Sequence, residues 1–214
     1  IRGATQLLAR SLNDPEYREF TDIIINEVDR LRNLADTMLG SRQLPSYEPV
    51  NIHEPLERVR SLIANQTKKR VKLIRDYDLS LPEVLADRDQ LIQVMLNISV
   101  NAVQAMNENK DFFVDTQPEL ILRTRIQRLV TINGVIHRSM VRIDIEDNGP
   151  GVPEDIVESV FYPLVTGRAA GTGLGLSIAQ NIMHQHQGMI ECQSMRGKTT
   201  FSLYLPWESN HVAK

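Results

Sequence analysis

Asn133-Gly134 sits between two long runs of alternating apolar and polar residues, about 119–132 and 135–147. Asn-Gly is the strongest short hairpin signal, because a tight two-residue turn needs positive φ at both centres and these residues tolerate it. The pair predicts a long antiparallel hairpin. Such a ribbon is marginal alone, so the rest of the chain must supply further strands and a covering layer.

The flanking patterns supply both. Residues 54–67 read as a helix with Leu56, Val59, Leu62 and Ile63 on one side, and 87–107 as a longer one with a stripe of Leu91, Met95, Ile98, Ala102 and Ala105. Val50-Asn51-Ile52 and Val71 to Tyr77 read as strands, punctuated by Leu81-Pro82. Past Asp147 the pattern predicts a helix near 154–161, a glycine-rich segment, a helix over 174–187, and closing strands at 189–194 and 199–205. Helices and mostly antiparallel strands in this order predict an α+β, two-layer α/β sandwich over 50–208, with a short tail at 209–214.

The first 43 residues follow another period. Residues 1–12 read as a helix end and Asn13-Asp14-Pro15 as a break. A second helix over about 16–41 places Ile24, Val28, Leu31, Ala35 and Met38 at spacings of 4, 3, 4 and 3, a coiled-coil-like seam. A helical hairpin cannot bury such a seam alone, which predicts a homodimer with a four-helix bundle. Pro45 and Pro49 mark a linker at 44–49. Because the sequence opens mid-helix at Ile1, without an initiator methionine, the chain is expected to be a piece of something longer.

Bulk properties exclude several classes. With 42% hydrophobic and 24% charged residues, the chain has globular composition rather than that of a disordered polymer. Its 24 basic and 27 acidic residues give a net charge of −3, with no pull toward nucleic acid or anionic membrane. The basic run Arg58, Arg60, Lys68, Lys69, Arg70, Lys72 and Arg75 reads as a solvated helix end and strand edge. No stretch suits a membrane span. The single Cys192, in a strand-like run, reads as a structural thiol in a reducing, cytoplasmic setting.

Chemistry gathers in four places. Asn97 and Asn101, four apart, share one face of the long helix. Asparagine is a mediocre helix former, and an amide oxygen is a hard ligand suited to Mg²⁺. Asp147-Asn148-Gly149-Pro150-Gly151 follows a strand end, where the carboxylate can accept from an exocyclic amine such as that of adenine. Gly171-Thr172-Gly173-Leu174-Gly175-Leu176 runs into a helix N-terminus, a place for phosphate, without being a Walker A loop or a dinucleotide fingerprint. Gly188 and Gly197-Lys198-Thr199-Thr200-Phe201 mark the last turns and strand.

In this order the set resembles the ATP-binding domain of sensor histidine kinases, the GHKL or Bergerat fold. Asn97-x₃-Asn101-Ala102 is similar to its N box and Asp147-x-Gly149-x-Gly151 to its G1 box. Phe161-Tyr162-Pro163 resembles the F box, 171–176 the G2 box, and Gly197-x-Thr199-x-Phe201 the closing strand. Within the family, 162–168 and the opening residues 1–8 look most like the nitrogen-regulation kinases.

The resemblance implies ATP and Mg²⁺ as cofactors, with Asn101 on the metal and Asn97 near the phosphates. It implies Asp147 on the adenine amine, backed by Thr199, and a phosphate cradle at Gly171, Gly173 and Gly175 in a mobile lid. Contacts from Arg168 are the least defined part. It further implies phosphotransfer from a histidine to an aspartate of an NtrC-like response regulator, dephosphorylation of that regulator, and control by a PII signal protein. The family's acceptor motif, H-E-x-K/R-N-P, does not occur in the 214 residues, and His53-Glu54-Pro55 is a decoy because proline takes the tolerant third position. The chain is therefore expected to bind ATP without phosphorylating itself. His184 and His186 read as surface residues, and no partner is assigned to His137 or His211. The competing reading is a clamp ATPase related to Hsp90, MutL or gyrase.

Overall fold

In the computed structural model, residues 45–68, 70–132, 134–168 and 171–207 are described, together with Thr21, Ile24 and Val28. The chain divides into two compact units, Ile1–Leu44 and Pro45–Lys214. In the first, Thr21, Ile24 and Val28 are helical; the expected hairpin, its seam and its dimer otherwise lie outside the described residues.

The second unit carries strands β1 (Glu48–Val50), β2 (Lys72–Asp76), β3 (Val84–Ala86), β4 (Glu119–Ile132), β5 (Val135–Asp147), β6 (Met189–Met195) and β7 (Lys198–Pro206). Its helices are α1 (His53–Thr67), α2 (Arg88–Glu108) and α3 (Gly175–Gln185). Five strands form one sheet in the order β2-β4-β5-β7-β6, and β1 pairs with β3 separately. The β2–β4 pairing is parallel and the others antiparallel. The expected hairpin is present in register, from Leu120 opposite Asp147 to Ile132 opposite Val135, with Gly134 at φ 79°.

One face of the sheet is apolar. Leu120, Leu122, Ile143, Ile145, Phe201 and Leu203 bury against α1, α2 and α3 in a single core. The other face is a polar ladder: Arg142 and Ser202 both donate to Asp144 at 2.7 Å, and Arg123 joins Asp76 at 2.7 Å to Glu146 at 3.3 Å. This is a two-layer sandwich, helices over one side of a sheet.

Local chemistry explains the helices. Pro55 stands in the first turn of α1, where its missing N–H has no helical partner to lose. Lys68, at φ 48°, ends that helix in the left-handed region. Asp87 caps α2, its Oδ1 accepting from the N–H groups of Asp89 and Gln90 at 3.0 Å. The apolar stripe of α2 is wider than its period suggests, since Val94, Val103 and Met106 are also buried while Ala105 is not.

Two expectations are corrected: the strand expected at 50–52 lies at Glu48–Val50, and the helix expected near 154–161 does not form. The latter stretch is a turn with one 3-10 segment, Val157–Ser159. The N–H groups of Ile156 and Val157 both go to the Pro153 carbonyl, and Pro163 follows too soon for a second turn. Conversely, β3 forms where the sequence pattern marks no strand, because three residues so soon after Pro82 are too few to show a period.

Gly188 closes α3 onto the sheet, and a Cβ there would lie 2.3 Å from the Tyr204 carbonyl oxygen. Since backbone cannot give way as a flexible side chain can, Gly188→Ala is expected to lower stability by about 3 kcal/mol. A urea midpoint unchanged from the parent would refute this.

Candidate nucleotide-binding site

Asp147 ends β5 in the middle of the sheet, opposite Leu120 on β4 and Thr199 on β7. It is only 6% exposed. Burial pushes its carboxyl up to about 6, against the lowering effects of the Gly149 N–H and the Arg168 charge. Gly149 donates to Oδ1 at 2.8 Å, and a Cβ at Gly149 would sit 2.6 Å from that oxygen, so only glycine reaches it this way. Oδ2 accepts no hydrogen bond among the described residues and is not sealed from solvent.

The turn after Asp147 is tied down on both sides. Asn148 accepts from the Glu119 N–H at 2.8 Å and donates to the Gln117 carbonyl at 2.9 Å. The Gly149 carbonyl accepts from the Gly197 N–H at 3.0 Å, and Gly151 takes φ 96° with its Cβ position 3.0 Å from the Met195 oxygen. Thr199 is buried and shares a 2.9 Å hydrogen bond with Ser194, which also accepts from Val152. Cys192 is half-buried, and burial first, then the Asp147 charge, raises its thiol to about 11, which leaves it a weak nucleophile.

Asn97 and Asn101 do share a face of α2, and that face meets the start of α3. The Asn97 amide donates to the Gly175 carbonyl at 3.0 Å. A Cβ on Gly175 would lie 3.8 Å from the Asn97 side chain and 3.9 Å from the Asn101 amide nitrogen, so a side chain there would fill the gap between them. The Asn101 side chain makes no hydrogen bond among the described residues. The two amides thus differ: Asn97 is engaged in holding α3, and Asn101 is free.

Residues 161–174 bridge these parts. Phe161 packs edge-on against Phe201 with ring centroids 6.2 Å apart, which anchors the segment to the sheet. Gly173, at φ 65°, accepts from the Leu164 N–H at 3.0 Å. Gly171 crowds Thr166 closely, its Cβ position 2.3 Å from the hydroxyl. The Thr172 hydroxyl accepts from the Leu174 N–H at 3.4 Å, Leu174 is buried, and Leu176 packs on the core.

Arg168 is the hub. It donates to the Gln104 side chain at 2.7 Å and to the Asn101 carbonyl, and it pairs with Glu108 at 3.4 Å. Burial lowers its pKa, while the charges of Glu108 and Asp147 act the other way. Asp147, Arg168, Asn101, Gly175 and Asn97 thereby form one connected constellation. Gln104 and Glu108 were missed in the sequence, yet the signal was there: 97, 101, 104 and 108 continue the 4-3-4 spacing of one helix face. His184 is exposed as expected, but His186 is buried, 4% exposed, a correction whose cause is its long-range partners.

Residues 86–209 match the family described as histidine kinase-, DNA gyrase B-, and HSP90-like ATPase. The chain belongs to that family. Among its relatives, the sensory histidine kinase/phosphatase NtrB of Escherichia coli O157:H7 is 49% identical over 207 residues, covering 96% of this chain and 57% of that protein. The chain thus spans little more than half the length of the curated relatives it matches. In fold, the catalytic domain of histidine kinase ThkA superposes with a TM-score of 0.61 at 26% identity, covering 76% of this chain and 96% of that one. Full-length ShkA gives a TM-score of 0.67 at 24% identity, over 98% of this chain and 42% of that one.

Proposed function

We propose that this chain is the ATP-binding catalytic core of a two-component sensor histidine kinase of the nitrogen-regulation type. The observation that carries the reading is the connected constellation just described. A buried carboxylate with one free oxygen lies at one end, and at the other a free amide faces a glycine-opened helix N-terminus. The kinase/phosphatase name shared by the relatives favours phosphotransfer over the clamp ATPases.

Each residue then has a task. The free Asp147 oxygen accepts from the adenine amine, which selects ATP over a 6-oxo purine, and Thr199 lies behind it. Gly149 and Gly151 let the backbone pass close to the base, and Phe161 holds the lid root. Gly171, Gly173 and Gly175 form the cradle that meets the phosphates at the start of α3, where the helix dipole adds attraction. Arg168 leaves α2 for the phosphates. Asn97 keeps α3 at its distance.

The donor set fits Mg²⁺. No group of three or more His, Cys, Asp or Glu side chains among the described residues forms a metal cage. Mg²⁺ takes few protein ligands beside phosphates, and the free Asn101 oxygen is the right kind of donor. Bound there, the ion would neutralise charge developing on the phosphoryl oxygens. What the chain contributes is positioning of the terminal phosphate toward an acceptor.

The acceptor histidine lies outside these 214 residues, on a helix with the H-E-x-K/R-N-P motif. A homodimer through residues 1–43, an NtrC-like response regulator and a PII signal protein are the proposed partners, in the cytoplasm. None of the described helices is long and apolar enough to cross a membrane.

The test is transfer in trans. With γ-labelled ATP the chain alone should stay unlabelled, and a supplied motif-bearing partner with an inactivated nucleotide site should become labelled. Asn101→Ala should cut that labelling by at least a hundredfold. Label on the chain itself, or full transfer by the variant, would overturn the proposal.

A further inference from the structure

His186 links residues 46 and 47, at the start of the second unit, to both helices of the nucleotide site. Its ring nitrogens have defined roles. The Asp87 backbone N–H donates to Nε2 at 3.0 Å, so the proton sits on Nδ1, which donates to the Ile182 carbonyl at 2.8 Å. The ring therefore bolts the C-terminal end of α3 to the residue that caps α2.

Residues 46 and 47 close over this bolt. The Tyr47 ring meets His186 edge-on at 5.2 Å, and its hydroxyl donates 2.7 Å to the Gln185 carbonyl, one of the orphan acceptors at the end of α3. The Ser46 N–H donates 2.9 Å to Asp87 Oδ2, while Oδ1 of the same carboxylate caps α2. One aspartate thus serves the linker and α2 together, and one tyrosine serves the linker and α3.

Geometry carries the effect to the site. α3 has 11 residues, a rod of about 16 Å. Its far end is Gly175, held by Asn97 and facing Asn101. α3 is tied to α2 near both ends and packed on the core between them through Ala179, Ile182 and Met183, so a shift at one end is passed along the rod to the other. A tilt that moved Gly175 by an ångström would change the gap in which phosphate and metal are proposed to lie.

We propose that His186 is a positioning residue that couples the seating of Ser46 and Tyr47 to nucleotide binding. This rests on the reading of the site as a nucleotide site. By linkage, the coupling is reciprocal: nucleotide tightens the linker clasp, and a withdrawn Tyr47 weakens nucleotide binding.

The experiment uses the full chain with Mg²⁺ and a non-hydrolysable ATP analogue. His186→Ala is expected to weaken binding five- to tenfold at a temperature where the far-ultraviolet spectrum shows the fold intact. His186→Gln places a neutral amide oxygen near the Nε2 position, where it still accepts from Asp87, and should return affinity to within twofold of the parent. Hydrogen exchange at the Ser46 amide should slow on adding the analogue in the parent and in His186→Gln, and not in His186→Ala. Should the alanine variant not fold, Tyr47→Phe, which removes only the hydroxyl bond to Gln185, carries the same two measurements. Normal binding by the parent with unchanged binding and exchange in the variants would sink the coupling alone. A parent chain that does not bind the analogue would sink the nucleotide reading and the coupling with it.

Discussion

Asp147→Asn should make the unliganded protein more stable while weakening its nucleotide binding about a hundredfold. Burial holds this carboxyl at about 6 against a model-peptide value of 3.8. Keeping it ionised at neutral pH costs the fold up to about 3 kcal/mol, from roughly two pH units at 1.36 kcal/mol each. The sign follows from proton binding. The folded-state pKa is raised, so the folded chain holds this proton more tightly than the unfolded one between about pH 4 and 6. Stability from this group is full below pH 4, falls as pH rises to about 6, and is flat above. Asparagine removes that loss, so the gain in Tm should be absent below pH 4 and complete above pH 7. The amide oxygen still accepts from Gly149, which preserves the turn.

Binding moves the other way. With its oxygen committed to Gly149, the amide presents N–H groups where the adenine amine also presents N–H groups. Two buried donors face each other, and a charged acceptor is lost, for about 3 kcal/mol or a hundredfold in Kd. Wild-type affinity should also fall as pH drops below about 6 and the carboxyl protonates, with no such fall in the variant. A decrease in affinity under tenfold would refute the role given to Asp147. A variant less stable than the parent at pH 8 would refute the burial argument independently.

Gly173→Ala should be the opposite kind of change, large for binding and small for stability. Gly173 holds φ 65°, and a Cβ there would lie 2.5 Å from the Leu164 carbonyl carbon and 2.8 Å from the Val165 oxygen. All of these are backbone atoms of the same segment, so the chain at 164–165 and the glycine loop must separate. Alanine adds about 1 kcal/mol for the left-handed conformation. The segment lies at the surface and is anchored by Phe161, by Leu174 and by the Arg168 bonds to α2, none of which the alanine touches, so global stability should fall by no more than about 1 kcal/mol. The cradle proposed to hold phosphate should lose its shape, and affinity for the ATP analogue should fall at least thirtyfold. An unchanged affinity in equilibrium binding would remove Gly173 from the cradle.

Much of this is legible in the sequence. The long hairpin could be read from Asn133-Gly134 because turn preference is a property of two residues and the alternation beside it is local. Helices α1 and α2 lie where the sequence places them because each carries one apolar stripe, with Pro55 in the first turn of α1 and Asp87 capping α2. The failures share a cause. β3 exists because Val84–Ala86 pairs with Glu48–Val50, some 36 residues away, and no local pattern announces a three-residue strand. The expected helix after Pro153 lost to the proline that follows it. His186 looked like a surface histidine because its partners, Asp87 and Tyr47, are distant in sequence.

The site divides in the same way. By itself the sequence determined which residues could form it, since glycine freedom, amide chemistry and helix spacing are written into single positions and short intervals. Only the tertiary structure decided their states. It buried Asp147 far enough to raise its pKa, engaged Asn97 with Gly175 while leaving Asn101 free, parked Arg168 on α2, and closed Tyr47 over His186. Burial and long-range hydrogen bonds depend on which surfaces meet, and that is set by packing between elements rather than by any one of them.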